Sequence, residues 1–83
     1  MSQLNQLPNI GSILENKLIS VGVKTSEDLI KLGSKEVFNR IKLNDPEACL
    51  NSLYAIEGAV QSRRWHDLTK EEKRELRDYY QSL

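Results

Sequence analysis

Between Ala48 and Ser62 the chain carries one formal charge, Glu57, although charged residues make up 29% of the whole. A stretch of that length and polarity has to be buried, and its apolar residues recur with helical spacing. Cys49, Leu53, Ile56 and Val60 fall four, three and four apart, on one side of a helix, and Leu50, Tyr54, Ala55 and Ala59 widen that side beyond a stripe. The pattern predicts a helix from about Pro46 to Ser62, packed by neighbours on more than one side, with Cys49 as an inert buried packing residue. Gly58 inside it costs roughly 1 kcal/mol against alanine. The close approach of another backbone at Ala55, Gly58 and Ala59 would offset that cost.

The rest of the chain punctuates itself around this segment. Ser2 to Leu7 reads as a short helix with Leu4 and Leu7 inward, stopped by Pro8, which disfavours helical backbone at the residue before it. Asn9, Ile10 and Gly11 lead into a second helix through about Val21, with Ile10, Ile13, Leu14, Leu18 and Val21 inward and Gly22 as a left-handed stop. Thr25 and Asp28 form a capping-box pattern for a third helix, Ser26 to Leu32, closed by Gly33. Ser34 is the expected cap of a fourth, about Lys35 to Leu43, with Val37, Phe38 and Ile41 inward. Asp45 as cap and Pro46 at the first helical position would open the central helix. Thr69 and Glu72 make a full capping box for the last, Lys70 to about Gln81, whose packing stripe is Leu76, Tyr79, Tyr80 and Leu83. No stretch alternates with period two for long enough to be a strand. The expected fold is therefore an all-α domain of five or six helices spanning 1–83, with the central buried helix near 46–62.

Size and charge narrow the function. At 83 residues the chain buries only roughly 60–65% of its unfolded surface, which leaves little room for a large active-site cavity. Twelve Lys plus Arg balance twelve Asp plus Glu, so there is no long-range attraction to nucleic acid or anionic lipid, and any such binding needs a local patch. The charge is locally polarised: Lys31 to Leu43 holds four cations against Glu36, and Asp45 to Gln61 holds three acids and no cation. No apolar run approaches the roughly 20 residues of a membrane span. One cysteine and no charged, apolar leader point to the reducing cytoplasm.

Two short features could carry a function. In helix-hairpin-helix modules a Pro-Gly-hydrophobic-Gly turn presents backbone N–H groups that grip a phosphate, and Leu7-Pro8-Asn9-Ile10-Gly11 resembles that turn with Asn9 in place of the first glycine. Asn9, Ile10 and Gly11, aided by Lys17, are thus a candidate phosphate site, although the Asn9 side chain would crowd an approaching phosphate; the alternative is a turn that merely lets two helices cross closely. The second feature is Arg63-Arg64-Trp65-His66. The helix dipole alone favours cations there, while an exposed Trp among arginines would be a binding hot spot or stacking platform. As the sole tryptophan of a small core, Trp65 is expected inside the corner between the last two helices. Catalysis is not supported. Cys49 and His66, the sole cysteine and histidine, are separated by roughly 20 Å of helix, and no metal-ligand or P-loop spacing occurs. Glu71 and Glu75 read as a solvated helix face. No catalytic residue, metal or cofactor is expected.

The stretches LPNIG, Leu32-Gly33-Ser34, LYAIEGA and RWHDL, set within a match from about Leu4 to Tyr80, resemble the C-terminal domain of the TfoX/Sxy family of bacterial competence regulators. The resemblance implies a helical domain related to helix-hairpin-helix and SAM-like folds, in a family whose members promote transcription of DNA-uptake genes together with a DNA-bound activator. Those regulators also carry an N-terminal α/β domain that has no counterpart in this sequence, so the resemblance implies the C-terminal domain standing alone. Two functions follow as expectations. One is a non-enzymatic protein-interaction module, accessory to transcriptional regulation, using helical faces and the Arg63 to Asp67 corner. The other is weak, sequence-independent DNA binding through Asn9 to Gly11.

Overall fold

A computed structural model describes residues 4–46 and 48–83. Five α-helices follow one another: α1 (Ser12–Ser20), α2 (Ser26–Leu32), α3 (Ser34–Asn44), α4 (Leu50–Val60) and α5 (Lys70–Ser82). Single 3-10 turns at Leu4–Gln6 and Trp65–Asp67 precede α1 and α5, and no strand occurs among the described residues. The expected short N-terminal helix is thus a 3-10 turn with Leu4 fully buried, and Ser2 and Gln3 lie outside the described residues.

Local chemistry explains where most helices begin and end. Val23 N–H reaches back to the Leu18 carbonyl at 2.9 Å across Gly22, whose φ of 89° only glycine adopts cheaply, and this closes α1. Thr25 Oγ1 accepts from Asp28 N–H at 3.1 Å and caps α2. The Asp28 carboxylate, one methylene shorter than the usual glutamate, accepts from Lys24 N–H at 3.3 Å instead of closing the box on Thr25 itself. Thr69 and Glu72 close a complete box at α5.

The helix α4 touches α2, α3, α5 and the 65–67 turn, and buries Leu53, Ile56, Gly58 and Ala59. Around it close Leu18, Val23, Leu29, Val37, Phe38, Ile41, Leu68 and Leu76. Tyr80 packs on Phe38 with ring centroids 5.9 Å apart, and the Tyr79 hydroxyl donates to the Lys35 carbonyl at 3.2 Å, so the second half of α5 is fastened to α3.

Five expectations are corrected. The central helix starts at Leu50, not Pro46: Asp45 extends α3 by donating its N–H to the Ile41 carbonyl at 2.8 Å, its carboxylate is taken by Lys17 at 2.9 Å, and the Lys42 ammonium holds the carbonyls of Pro46 and Ala48 at 2.7 and 3.0 Å outside any helix. Cys49 therefore stands at the N-cap with its thiol exposed, and is not a core residue. Ser34 lies in the first turn of α3 rather than capping it, because its hydroxyl is buried and donates to the Glu57 carboxylate across the α3–α4 crossing. Ile13 is 74% exposed, since the inward row of this short helix is Leu14 and Leu18, continued by buried Ile10 ahead of it; Leu83 lies beyond the end of α5 and is half exposed.

Candidate functional site

The Leu7–Gly11 turn is built around Asn9. Its φ of 71° places it in the left-handed region, which asparagine tolerates better than most residues. That backbone turns the side chain inward, where Nδ2 donates to the Arg63 carbonyl at 2.9 Å and to the Ala55 carbonyl at 3.4 Å, while Oδ1 accepts from Trp65 N–H at 3.2 Å. The amide thus fastens the first turn of the chain to the end of α4. It does not project towards solvent, where it would crowd a phosphate.

The close approach expected at Gly58 is the same contact seen from the other side. A Cβ there would lie 2.6 Å from Asn9 Nδ2, 2.8 Å from the Arg63 carbonyl oxygen and 3.1 Å from Trp65 N. The neighbours are a side chain and the returning 63–65 segment, not a helix backbone. That segment returns because α4 ends in a Schellman turn: Arg63 N–H bonds the Gly58 carbonyl at 2.8 Å and Ser62 N–H bonds Ala59 at 3.0 Å, with Ser62 left-handed at φ 56°.

The other members of the phosphate candidate are dispersed. Ile10 is buried. Gly11 is the N-cap of α1 with extended backbone and no side-chain cap, and a Cβ there would meet open space. Lys17 lies about 9 Å further along the helix, where its ammonium is paired with Asp45. The structure does not gather Asn9, Gly11 and Lys17 around one point.

The corner 63–66 divides in two. Arg63 folds back onto the start of α5, donating to Gln61 Oε1 at 2.7 Å and to the Asp67 carbonyl, with Glu72 Oε1 at 3.4 Å. Glu72 is a hub: it accepts from Thr69 N–H at 2.9 Å and from the Gln61 amide at 2.7 Å. The Thr69 backbone donor, followed by the Gln61 amide, pulls its carboxyl from the ordinary 4.5 down to about 2. Arg64 and His66 are exposed.

Trp65 is neither interior nor free. Half-buried, its ring lies nearly parallel to Tyr54, 6.2 Å between centroids and 11° between planes. The His66 ring is 4.0 Å away and the Lys73 ammonium sits 5.4 Å from the indole centroid. The Tyr54 hydroxyl donates to the Lys73 carbonyl at 3.4 Å, tying this aromatic pair to α5.

Beside the pair opens a cleft of about 350 Å³ lined by Tyr54, Lys70, Lys73, Arg74 and Arg77. Sequence reasoning passed over these cations and weighed only the acids Glu71 and Glu75 on the same helix. The signal was present, since positions 70, 73, 74 and 77 are the i, i+3, i+4, i+7 row of one face.

Among the described residues no three His, Cys, Asp or Glu side chains converge on a common point, and no helix is long and apolar enough to cross a membrane. The Cys49 thiol is pulled below its ordinary 9.0, first by the backbone N–H of Ser52 and then by the Ser52 hydroxyl, 3.7 Å from Sγ.

Two crystal structures of proteins from Listeria monocytogenes match the fold closely. One, an uncharacterized protein in a triclinic form, is 52% identical with a TM-score of 0.94, over 95% of this chain and 90% of its own. The other, a protein of unknown function in a tetragonal form, is 51% identical with a TM-score of 0.92, over 94% of this chain and 96% of its own. No curated protein matches the sequence. Residues 1–80 match the TfoX C-terminal domain, and the chain belongs to that family.

Proposed function

We propose that this domain is a non-enzymatic protein-interaction module of the cytoplasm, accessory to transcriptional regulation of the competence type associated with its family. The observation that carries this reading is Trp65, half-buried and parallel to Tyr54, with the His66 ring and the Lys73 ammonium beside it. Rigid, half-exposed tryptophans flanked by cations are the usual anchors of protein interfaces, because they contribute large contact area with little conformational entropy to lose. Capture from host lysate tests it: a partner should survive nuclease treatment and be lost with Trp65→Ala, provided the variant keeps its helical circular dichroism. A capture that nuclease abolishes, or that Trp65→Ala leaves intact, contradicts the reading.

A second reading is weak, sequence-independent DNA binding at the start of α1, and one observation favours it: Gly11 faces open space with no side chain capping the helix. Against it stand the inward commitment of Asn9, the pairing of Lys17 with Asp45 and the zero net charge.

A further inference from the structure

We infer that the cleft between Tyr54 and α5 is the docking site for an acidic, apolar-punctuated peptide segment of the partner protein. This rests on the protein-docking reading above and supplies the chemistry of what docks.

The cations divide by whether their charge is already used. Lys17, Lys35, Arg40 and Arg63 each have a carboxylate partner. Lys70, Arg74 and Arg77 have none among the described residues, and Lys73 faces the Trp65 ring rather than an acid. These four cations share one cleft. Of the four acids interleaved with them on α5, Glu72 is held by Thr69, Gln61 and Arg63 and Glu75 by Lys35 at 2.9 Å, while exposed Glu71 and Asp78 do not line the cleft. Unpaired like charges crowded on one helix face repel each other, so a polyanionic ligand gains both its own attraction and the relief of that repulsion.

The floor of the cleft narrows the ligand. Tyr54 supplies an aromatic wall whose hydroxyl is anchored on α5, and Trp65 backs it. A segment with carboxylates at alternate positions and an apolar side chain between them would meet both features at once. The cation row spans only about 10 Å, the seven rises of helix from Lys70 to Arg77. That length suits two or three carboxylates and falls far short of the roughly 6–10 phosphate contacts of a strong nucleic-acid binder.

The test is fluorescence anisotropy of the domain with three labelled probes: a short peptide alternating Asp or Glu with Leu or Phe, the same peptide with Asn and Gln for its acids, and a thymidine oligonucleotide of similar length. The acidic peptide should bind at least tenfold tighter than its amide counterpart, weaken between about 50 and 200 mM salt, and lose at least tenfold in affinity with Arg74→Glu plus Arg77→Glu. Both arginines are exposed, so circular dichroism and melting temperature should be unchanged. Equal binding of the acidic and amide peptides, indifference to the double reversal, or tighter binding of the oligonucleotide overturns the inference. If lysate capture is lost with Trp65→Ala yet kept with the double reversal, protein docking stands and this cleft is not its site.

Discussion

The side-chain nitrogen of Asn9 stands 2.6 Å from where a Cβ on Gly58 would lie. Two residues 49 positions apart in the chain therefore explain each other: a glycine in the last turn of α4 makes room for an amide that ties the N-terminal turn to the end of that helix. Gly58→Ala should lower stability by about 1–2 kcal/mol even though alanine is the better helix former, because the displaced neighbours include the Arg63 carbonyl, which is backbone. Asn9→Ala should cost about 2–4 kcal/mol, losing the bonds to Arg63 and Trp65 while keeping the left-handed φ. In a double-mutant cycle the two changes should be less than additive, since removing the amide frees part of the space. Denaturant melts of the three variants check this.

Trp65→Ala should reduce stability by about 1–3 kcal/mol and leave a folded domain. The loss is that of a half-buried ring and one stacked aromatic pair, smaller than that of a fully interior tryptophan. Trp65→Phe should recover part of it. A variant that fails to fold would show that the ring carries more of the core than its exposure indicates.

Glu72 ties stability to acid. Its folded carboxyl titrates at about 2, below the ordinary 4.5, so its contribution is fully present above about pH 4.5 and is lost as pH falls towards 2. Glu72→Gln should flatten the acid limb of the stability profile in that window and lower stability at neutral pH. An unchanged dependence on pH between 5 and 2 would remove Glu72 from its place as the hub of the 61–72 network.

Cys49 should react quickly. It is exposed at the start of α4, and Ser52 lowers its pKa through backbone and hydroxyl, so a thiol reagent should label the folded protein at a rate within severalfold of the denatured chain. Ser52→Ala should slow it. Strong protection in the native state would contradict the late start of α4.

What was legible in the sequence is what short-range chemistry decides. Thr25 and Asp28 with Gly33 marked both ends of α2, and Thr69 with Glu72 marked the start of α5, because each signal lies within a turn of what it controls. The start of α4 was misread because the Lys42 ammonium and the Lys17–Asp45 pair decide it, and tertiary contacts of this kind override local propensity. That the Asn9 amide ties the turn to the end of α4 was not legible, because its partners lie 46 to 56 residues away. The cation row of α5 could have been read from spacing, but not that Glu72 and Glu75 beside it are engaged elsewhere.

The proposed function holds that the Leu7–Gly11 turn serves the fold and that the working surface is the Trp65 face. Its most direct test is a DNA titration of the wild type beside Gly11→Asp, at about 50 and 200 mM salt. Position 11 has extended N-cap geometry and open space, so aspartate fits, caps α1 and adds a few tenths of a kcal/mol while placing a carboxylate where a phosphate would sit. The predicted result is negligible binding by both proteins at both salt concentrations. Submicromolar wild-type affinity with a steep salt slope, abolished in a folded Gly11→Asp, would contradict the claim and make the turn the binding site.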